Sequence, residues 1–150
     1  MDYVKYIRGL VGHSKIILPA VGTIIEKDGR ILLQRRSDNG KWGLVGGIME
    51  LGETFEETAI REAAEETGLV IRPEYLVGIY HNFNMVWTNG DQAHIICAVY
   101  KSGVVSGEPR LDDESMELRY FAPEELPELF TETHRRAMAD YLAGRQNQIH

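Results

Sequence analysis

The chain has 150 residues, 43% hydrophobic and 26% charged, enough for a buried core and ordinary for one globular domain spanning 1–150. Its net charge of −7 excludes a nonspecific binder of polymeric nucleic acid, which needs a basic footprint, but leaves room for a small anionic ligand that reaches the protein with a metal ion. The single cysteine, Cys97, excludes an internal disulfide, and the longest apolar stretch, residues 16–25, contains Pro19 and is far too short for a membrane span.

In chain order, Asp2 caps a short predicted helix over about residues 2–11, with Tyr3, Ile7, Leu10 and Val11 on one stripe and Gly12 at its end. That apolar stripe offers a surface for a homodimer. Residues 16–26 read as a strand, Asp28-Gly29 as a hairpin turn and Arg30 to Arg36 as the returning strand. Residues 37–43 are a polar loop with Trp42 as a supporting core residue, and residues 44–53 continue as irregular or short extended chain. A helix starts near Thr54, whose hydroxyl and Glu57 form a capping box, and ends at Gly68. Ile60, Ala63 and Ala64 are expected on its inner side.

Residues 74–88 are strand-rich, Asn89-Gly90 is a second hairpin turn, and the run to Tyr100 is a buried strand in which Cys97 is a core thiol. A loop follows from Gly103 to Pro109, then a short strand from Leu118 to Phe121 and a helical turn at residues 123–129. Thr131 caps a last helix over about 131–143, with Met138, Tyr141 and Leu142 inward, and the tail 145–150 is expected to fray. His81 and His94 lack partners at metal-ligand spacing and read as structural. With no signal-peptide core at the N-terminus, the expected setting is the reducing cytoplasm, with no membrane partner.

Residues 47–69 carry seven glutamates in 23 positions. Glu62, Glu65 and Glu66 stand at i, i+3 and i+4, so they rise from one helix face, where like charges repel. A solvated acidic face is one reading of that spacing. The other is a set of carboxylates kept for a hard cation such as Mg²⁺, which takes oxygen ligands and shares them with phosphates.

Gly47, then Glu53, then Arg61-Glu62-Ala63-Ala64-Glu65-Glu66-Thr67-Gly68-Leu69 resembles the Nudix box, GX5EX7REUXEEXGU, at every fixed position. The flanks, residues 32–47 upstream and 114–127 downstream, look like those of bacterial Nudix hydrolases. The resemblance implies an α/β fold, the Nudix-type α/β/α sandwich with a central mixed β-sheet. It also implies divalent-cation-dependent hydrolysis of the pyrophosphate linkage in a nucleoside diphosphate derivative or a nucleoside triphosphate, a small-molecule nucleotide substrate. The ion would be Mg²⁺, with Mn²⁺ as the alternative, in one to three copies.

By the same resemblance Glu62, Glu65 and Glu66 are metal ligands together with the Gly47 carbonyl, and Glu62 is the first choice for activating water. Arg61 either makes an ordinary helical ion pair or holds a catalytic carboxylate in place, and Glu53 buttresses the loop or meets a second metal through water. Glu117, just before a strand, is the preferred extra carboxylate from outside the box, with Glu114 as its rival. Of Arg35 and Arg36, which alternate along a strand, one clamps a phosphate. Phe83 either lines a base pocket or makes a cross-strand pair; Trp87 reads as structural. Val45 stands where many relatives have a proline, which leaves the stiffness of the loop open. The competing readings are a Nudix-fold module that binds a nucleotide or nucleotide sugar without cleaving it, and a simple cation-binding protein. The sequence carries no marker that selects one nucleotide.

Overall fold

The computed structural model describes residues 2–150, with helices α1 (Tyr3–Val11), α2 (Phe55–Thr67) and α3 (Glu132–Leu142). Its strands are β1 (Ile16–Lys27), β2 (Arg30–Arg36), β3 (Trp42–Gly43), β4 (Val45–Ile48), β5 (Val70–Val86), β6 (Gln92–Ser106), β7 (Ser115–Phe121) and β8 (Gln148–Ile149). They form one mixed sheet with the path β3-β2-β1-β6-β5-β8, on which β4 pairs with β1 and β7 with β2. The β1–β6 pairing is parallel and runs from Ile16↔Ala93 to Glu26↔Gly103. The hairpin between β1 and β2 turns at Asp28 and Gly29, both at positive φ, as an Asp-Gly turn requires.

Alternation along β1 sorts its side chains between two cores. Val21 and Ile25 face α2, where Ala59 and Ala63 are fully buried against Leu32 and Val45. Leu18, Ala20 and Ile24 face the other side, where Ala137 and Met138 of α3 and, at the margin, Tyr3 and Ile7 of α1 complete the core. Helices therefore cover both faces, and the chain is an α/β/α sandwich around a mixed sheet. Cys97 is a buried core thiol, pushed up to about 12 by that burial. None of the helices is long and apolar enough to cross a membrane, among the described residues.

Three expectations are corrected. In α3 Met138 is buried as expected, but Leu142 is 48% exposed rather than inward. The inner side of α2 is not Ile60, Ala63 and Ala64: Ile60 and Ala64 are exposed, and the buried set is Thr58, Ala59, Ala63, Glu66 and Thr67. The helix is rolled so that part of its acidic face turns inward toward β4. The tail is not frayed either. Residues 148 and 149 form β8, parallel to β5 through Gly78↔Gln148 and Ile79↔Ile149. His150 stacks on Tyr80 at 5.2 Å between ring centroids and lies 3.2 Å from Asp140. Asp140, 5% exposed, accepts from the Tyr80 hydroxyl at 2.7 Å and from Arg145 Nε at 2.8 Å, which ties α3 and the tail to β5. A short-range reading of the tail finds no apolar periodicity because what orders it is backbone pairing with β5 together with the Asp140 carboxylate.

Replacing Asp140 by Ala leaves the buried Tyr80 hydroxyl without its acceptor, at a cost of about 2–3 kcal/mol. Urea unfolding should show that loss, and deleting residues 147–150 should cost less; an unchanged midpoint for Asp140→Ala would remove Asp140 as the anchor of the tail.

Candidate active site

The acidic helix is placed by its own ends. Thr54 accepts from the Glu57 N–H at 3.1 Å and Glu57 accepts from the Thr54 N–H at 3.4 Å, so the capping box closes, and Gly68 ends the helix in the left-handed conformation. Beside it, β4 pairs with β1 through Val21↔Gly47 and Gly22↔Gly46. A Cβ on Gly46 would lie 2.1 Å from the Val21 carbonyl oxygen, and one on Gly47 would lie 2.5 Å from the Glu62 carboxyl. Only glycine lets this backbone pass so close to its neighbours. Val45, in the place of the expected proline, is fully buried and paired with Thr23, so strand pairing supplies the stiffness that a proline ring would.

Glu66 is 3% exposed, and both of its oxygens are occupied: one accepts from the Gly46 N–H at 2.9 Å, the other from Gln34 Nε2 at 2.8 Å. Gln34 is itself held by the Ser115 hydroxyl, which donates to its Oε1 at 2.8 Å. Burial pushes the Glu66 carboxyl up to about 8 against the pull of Gln34, with Glu62 pushing the same way. Glu62 rises to about 7, first from burial, opposed by the hydrogen bond from Arg61 and reinforced by Glu65 and Glu114. The sequence alone did not single out Gln34 and Ser115; the available signal was a glutamine inside the otherwise apolar run of β2.

Arg61 is the hub. Its Nε and Nη2 both donate to Glu53, Nη1 donates to Glu62 at 2.8 Å and to Glu65 at 3.4 Å, and Nη2 also reaches the Ile48 carbonyl at 3.2 Å. Glu53 additionally accepts from the Thr58 hydroxyl and, at 3.3 Å, from the Glu50 N–H. The Arg61 guanidinium, then, holds Glu53 down to about 2. One arginine thus joins the β4 loop, the start of α2 and the Glu62 carboxylate.

These groups open onto a cavity of about 950 Å³ whose apolar floor includes Leu18, Ala20 and Ile95. Glu62, Glu65 and Glu66 all reach it, as does Arg36, which is paired with Asp38 and lies 5.2 Å from the Phe130 ring. Arg35 does not; its Nε donates to the Gly40 carbonyl at 2.8 Å and shapes the β2–β3 loop. Of the two outside carboxylates, Glu114 lines the cavity. The structure does not bring Glu117 there: it sits in β7 opposite Arg35, half-exposed, 3.0 Å from Arg119. The bulge between Arg35 and Arg36 in the β2–β7 pairing shifts the register beyond Glu117, at the end of the strand from which Glu114 reaches the cavity.

Phe83, 59% exposed, stacks on His81 at 5.3 Å and lines a second cavity of about 570 Å³ that adjoins the first at Arg36 and Asn82. His81 and His94 are paired with each other at 2.8 Å, and His81 also lines the second cavity. Trp42 meets Phe121 edge-on at 5.0 Å in the core.

Burial destabilises the ionised forms of Glu66 and of the largely buried Glu62, so a nearby positive charge would favour them, and their oxygens are hard donors. That set fits a hard divalent cation. Among the described residues, no three acidic, histidine or cysteine side chains converge into a closed cage, because Glu65 stands outward with its side chain 60% exposed.

The family model for the NUDIX domain matches residues 17–141. The chain is 37% identical over 140 residues to an ADP-ribose pyrophosphatase of Methanocaldococcus jannaschii, covering 90% of this chain and 80% of that protein. It is 36% identical over 123 residues to a MutT-like protein of Streptomyces ambofaciens, covering 82% and 75%. The crystal structure of a MutT NUDIX hydrolase from Burkholderia pseudomallei superimposes with a TM-score of 0.71 at 32% identity, over 83% of this chain and 97% of that one.

Two outcomes are expected of this geometry. Gly47→Ala should drive the Glu62 carboxyl from its place and lower turnover about a hundredfold while the protein still unfolds cooperatively; activity within twofold of wild type would contradict the close approach. The Glu53–Arg61 pair should contribute stability above the ordinary Glu value of 4.5 and lose it as pH falls toward about 2, since the folded-state value is depressed. Urea titrations of wild type and Glu53→Gln should then differ at pH 7 and converge only as pH reaches about 2.

Proposed function

The chain belongs to the Nudix family and is a Nudix pyrophosphohydrolase acting on nucleotide derivatives; from that premise we propose that it opens the pyrophosphate linkage of a nucleoside diphosphate derivative or nucleoside triphosphate with the help of a divalent cation, Mg²⁺ or Mn²⁺. The observation that carries the reading is the pair of neighbouring carboxylates, buried Glu66 and largely buried Glu62, seated against Gly46 and Gly47. Glu62, Glu65, Glu66 and the Gly47 carbonyl would hold the ion, which when bound neutralises the diphosphate and lowers the pKa of a coordinated water.

The chain's own residues do the rest. Glu62 orients the attacking water and takes its proton, and Arg61 holds that carboxylate in register. Glu66 stays in place through Gly46 and the Ser115–Gln34 relay. Arg36, in the cavity wall, takes a phosphate oxygen, and Glu114 replaces Glu117 as the additional carboxylate from outside the box. Phe83 borders the second cavity, where it would meet the part of the substrate beyond the pyrophosphate. The non-catalytic reading gains no support, because every glutamate of the box is kept. Cys97, lone and buried, suits the reducing cytoplasm in which we place the protein.

ADP-ribose, for which the archaeal relative is named, is the first substrate to test, followed by canonical and oxidised nucleoside triphosphates. With Mg²⁺ at least one should be cleaved, chelation should abolish turnover, and Glu62→Gln and Glu66→Gln should each lower kcat by about 10²–10⁴. Both reactions leave a nucleoside monophosphate; ribose 5-phosphate as the second product would point to ADP-ribose, and pyrophosphate to a triphosphate. Turnover by Glu62→Gln equal to wild type would sink the assignment of the base.

A further inference from the structure

Helix α1 lies outside the span that the family model matches, which begins at residue 17, yet Asp2, Val4 and Arg8 line the catalytic cavity. Nine residues make a helix about 13 Å long, too short to be stable alone in water, so its order depends on docking. That docking is slight. None of its residues is fully buried, and only Tyr3 and Ile7 pack against the core.

The helix is tied instead at its two ends, to the two loops on either side of the cavity. At the N-terminus the Tyr3 N–H donates to the Glu50 carboxylate at 3.0 Å. At the other end Arg8 donates to the Ser14 carbonyl at 2.6 Å and to the Gln92 carbonyl at 2.7 Å, and lies 3.5 Å from Asp91 in the β5–β6 hairpin. Glu50 and Asp91 both border the same cavity. The helix therefore bridges the acidic loop and the hairpin.

Its N-terminal tie leads into the catalytic centre. The Glu50 N–H donates to Glu53, Glu53 holds Arg61, and Arg61 holds Glu62. Docking of α1 and placement of the catalytic carboxylate share one chain of hydrogen bonds.

From these contacts we infer that α1 is a movable wall of the substrate site that closes over a bound mononucleotide-sized ligand, supports Glu62 when closed, and selects against nucleotides carrying a long extension. The ties at Glu50 and Gln92 define the docked state; a ligand that fits beneath α1 favours that state, and one that trails a polymer through the mouth opposes it. This rests on the nucleotide reading above. It makes α1 a positioning and size-selecting segment, with no atom in contact with the reacting phosphorus.

The test uses the full chain with Mg²⁺ and α,β-methylene-ADP, which cannot be cleaved at its bridge. Amide hydrogen exchange over residues 3–11 should slow about tenfold or more when this analogue binds, and remain unchanged with Mg²⁺ alone. By calorimetry the analogue should bind at least about tenfold more tightly than the same analogue extended at its 3′ oxygen by an oligonucleotide. Arg8→Ala, which releases one end, and Ile7→Ala, which loosens the packing, should each narrow that ratio while the rest of the chain keeps its exchange protection. Binding of the analogue without protection of α1, or a size ratio the same in wild type and both variants, overturns the inference. Failure of the wild type to bind α,β-methylene-ADP at all would instead overturn the nucleotide reading on which it stands.

Discussion

Burying a carboxylate is costly unless its oxygens are met by donors, and the arrangement of this protein around Glu66 follows from meeting that cost. One oxygen takes the Gly46 N–H and the other takes Gln34. For Gly46 to reach it, β4 must lie against β1 so closely that no side chain fits at that position. For Gln34 to reach it, β2 must carry a polar side chain into the interior, which Ser115 of β7 then holds. Four strands and one helix thus meet at a single carboxyl group. The roll of α2, which turns Glu66 inward and leaves Ile60 outside, is the geometric consequence.

Arg61 extends this constraint outward. Its guanidinium is planar and delivers several donors in a fixed fork, so one side chain holds Glu53, Glu62, Glu65 and the Ile48 carbonyl in fixed relation. A lysine could neutralise the same charge but could not fix those directions. The result is graded: Glu53 is held ionised, Glu62 and Glu66 are pushed toward neutrality by burial and by neighbouring carboxylates, and Glu65 stays outward on the helix. Such a gradient, strongest where the carboxylates face β4, prepares the centre for added positive charge. The outer end of the same hydrogen-bond chain is α1, and this explains how a helix remote from the box in sequence comes to bear on its carboxylates.

Much of this was legible in the chain itself. The capping box at Thr54 and Glu57, the Asp28-Gly29 turn, the limits of β2 and the helix cap at Asp2 are local signals and stand as read. So do the box spacing and the burial of Cys97. What was not legible depends on register or on distant partners. Glu117 looked well placed just before a strand, but Glu114, past the bulge in the β2–β7 pairing, lines the cavity instead. The tail looked loose because backbone pairing with β5 and Asp140, acting with Tyr80 and His150, order it rather than any run of apolar residues. Arg35 and Arg36 were known to point apart; only the cavity shows that Arg36 is the one that reaches it.

The amino-acid sequence by itself determined the family, the chemistry and the identity of the helical carboxylates, because box spacing, helix caps and turn residues act over a few neighbouring positions. The tertiary structure decided which face of α2 is buried, which outside glutamate faces the cavity, that Gln34 and Ser115 secure Glu66, and that α1 walls the site. These depend on strand register and on approaches of a few ångströms between segments far apart in the chain, and a one-residue shift in pairing exchanges which side chains face inward.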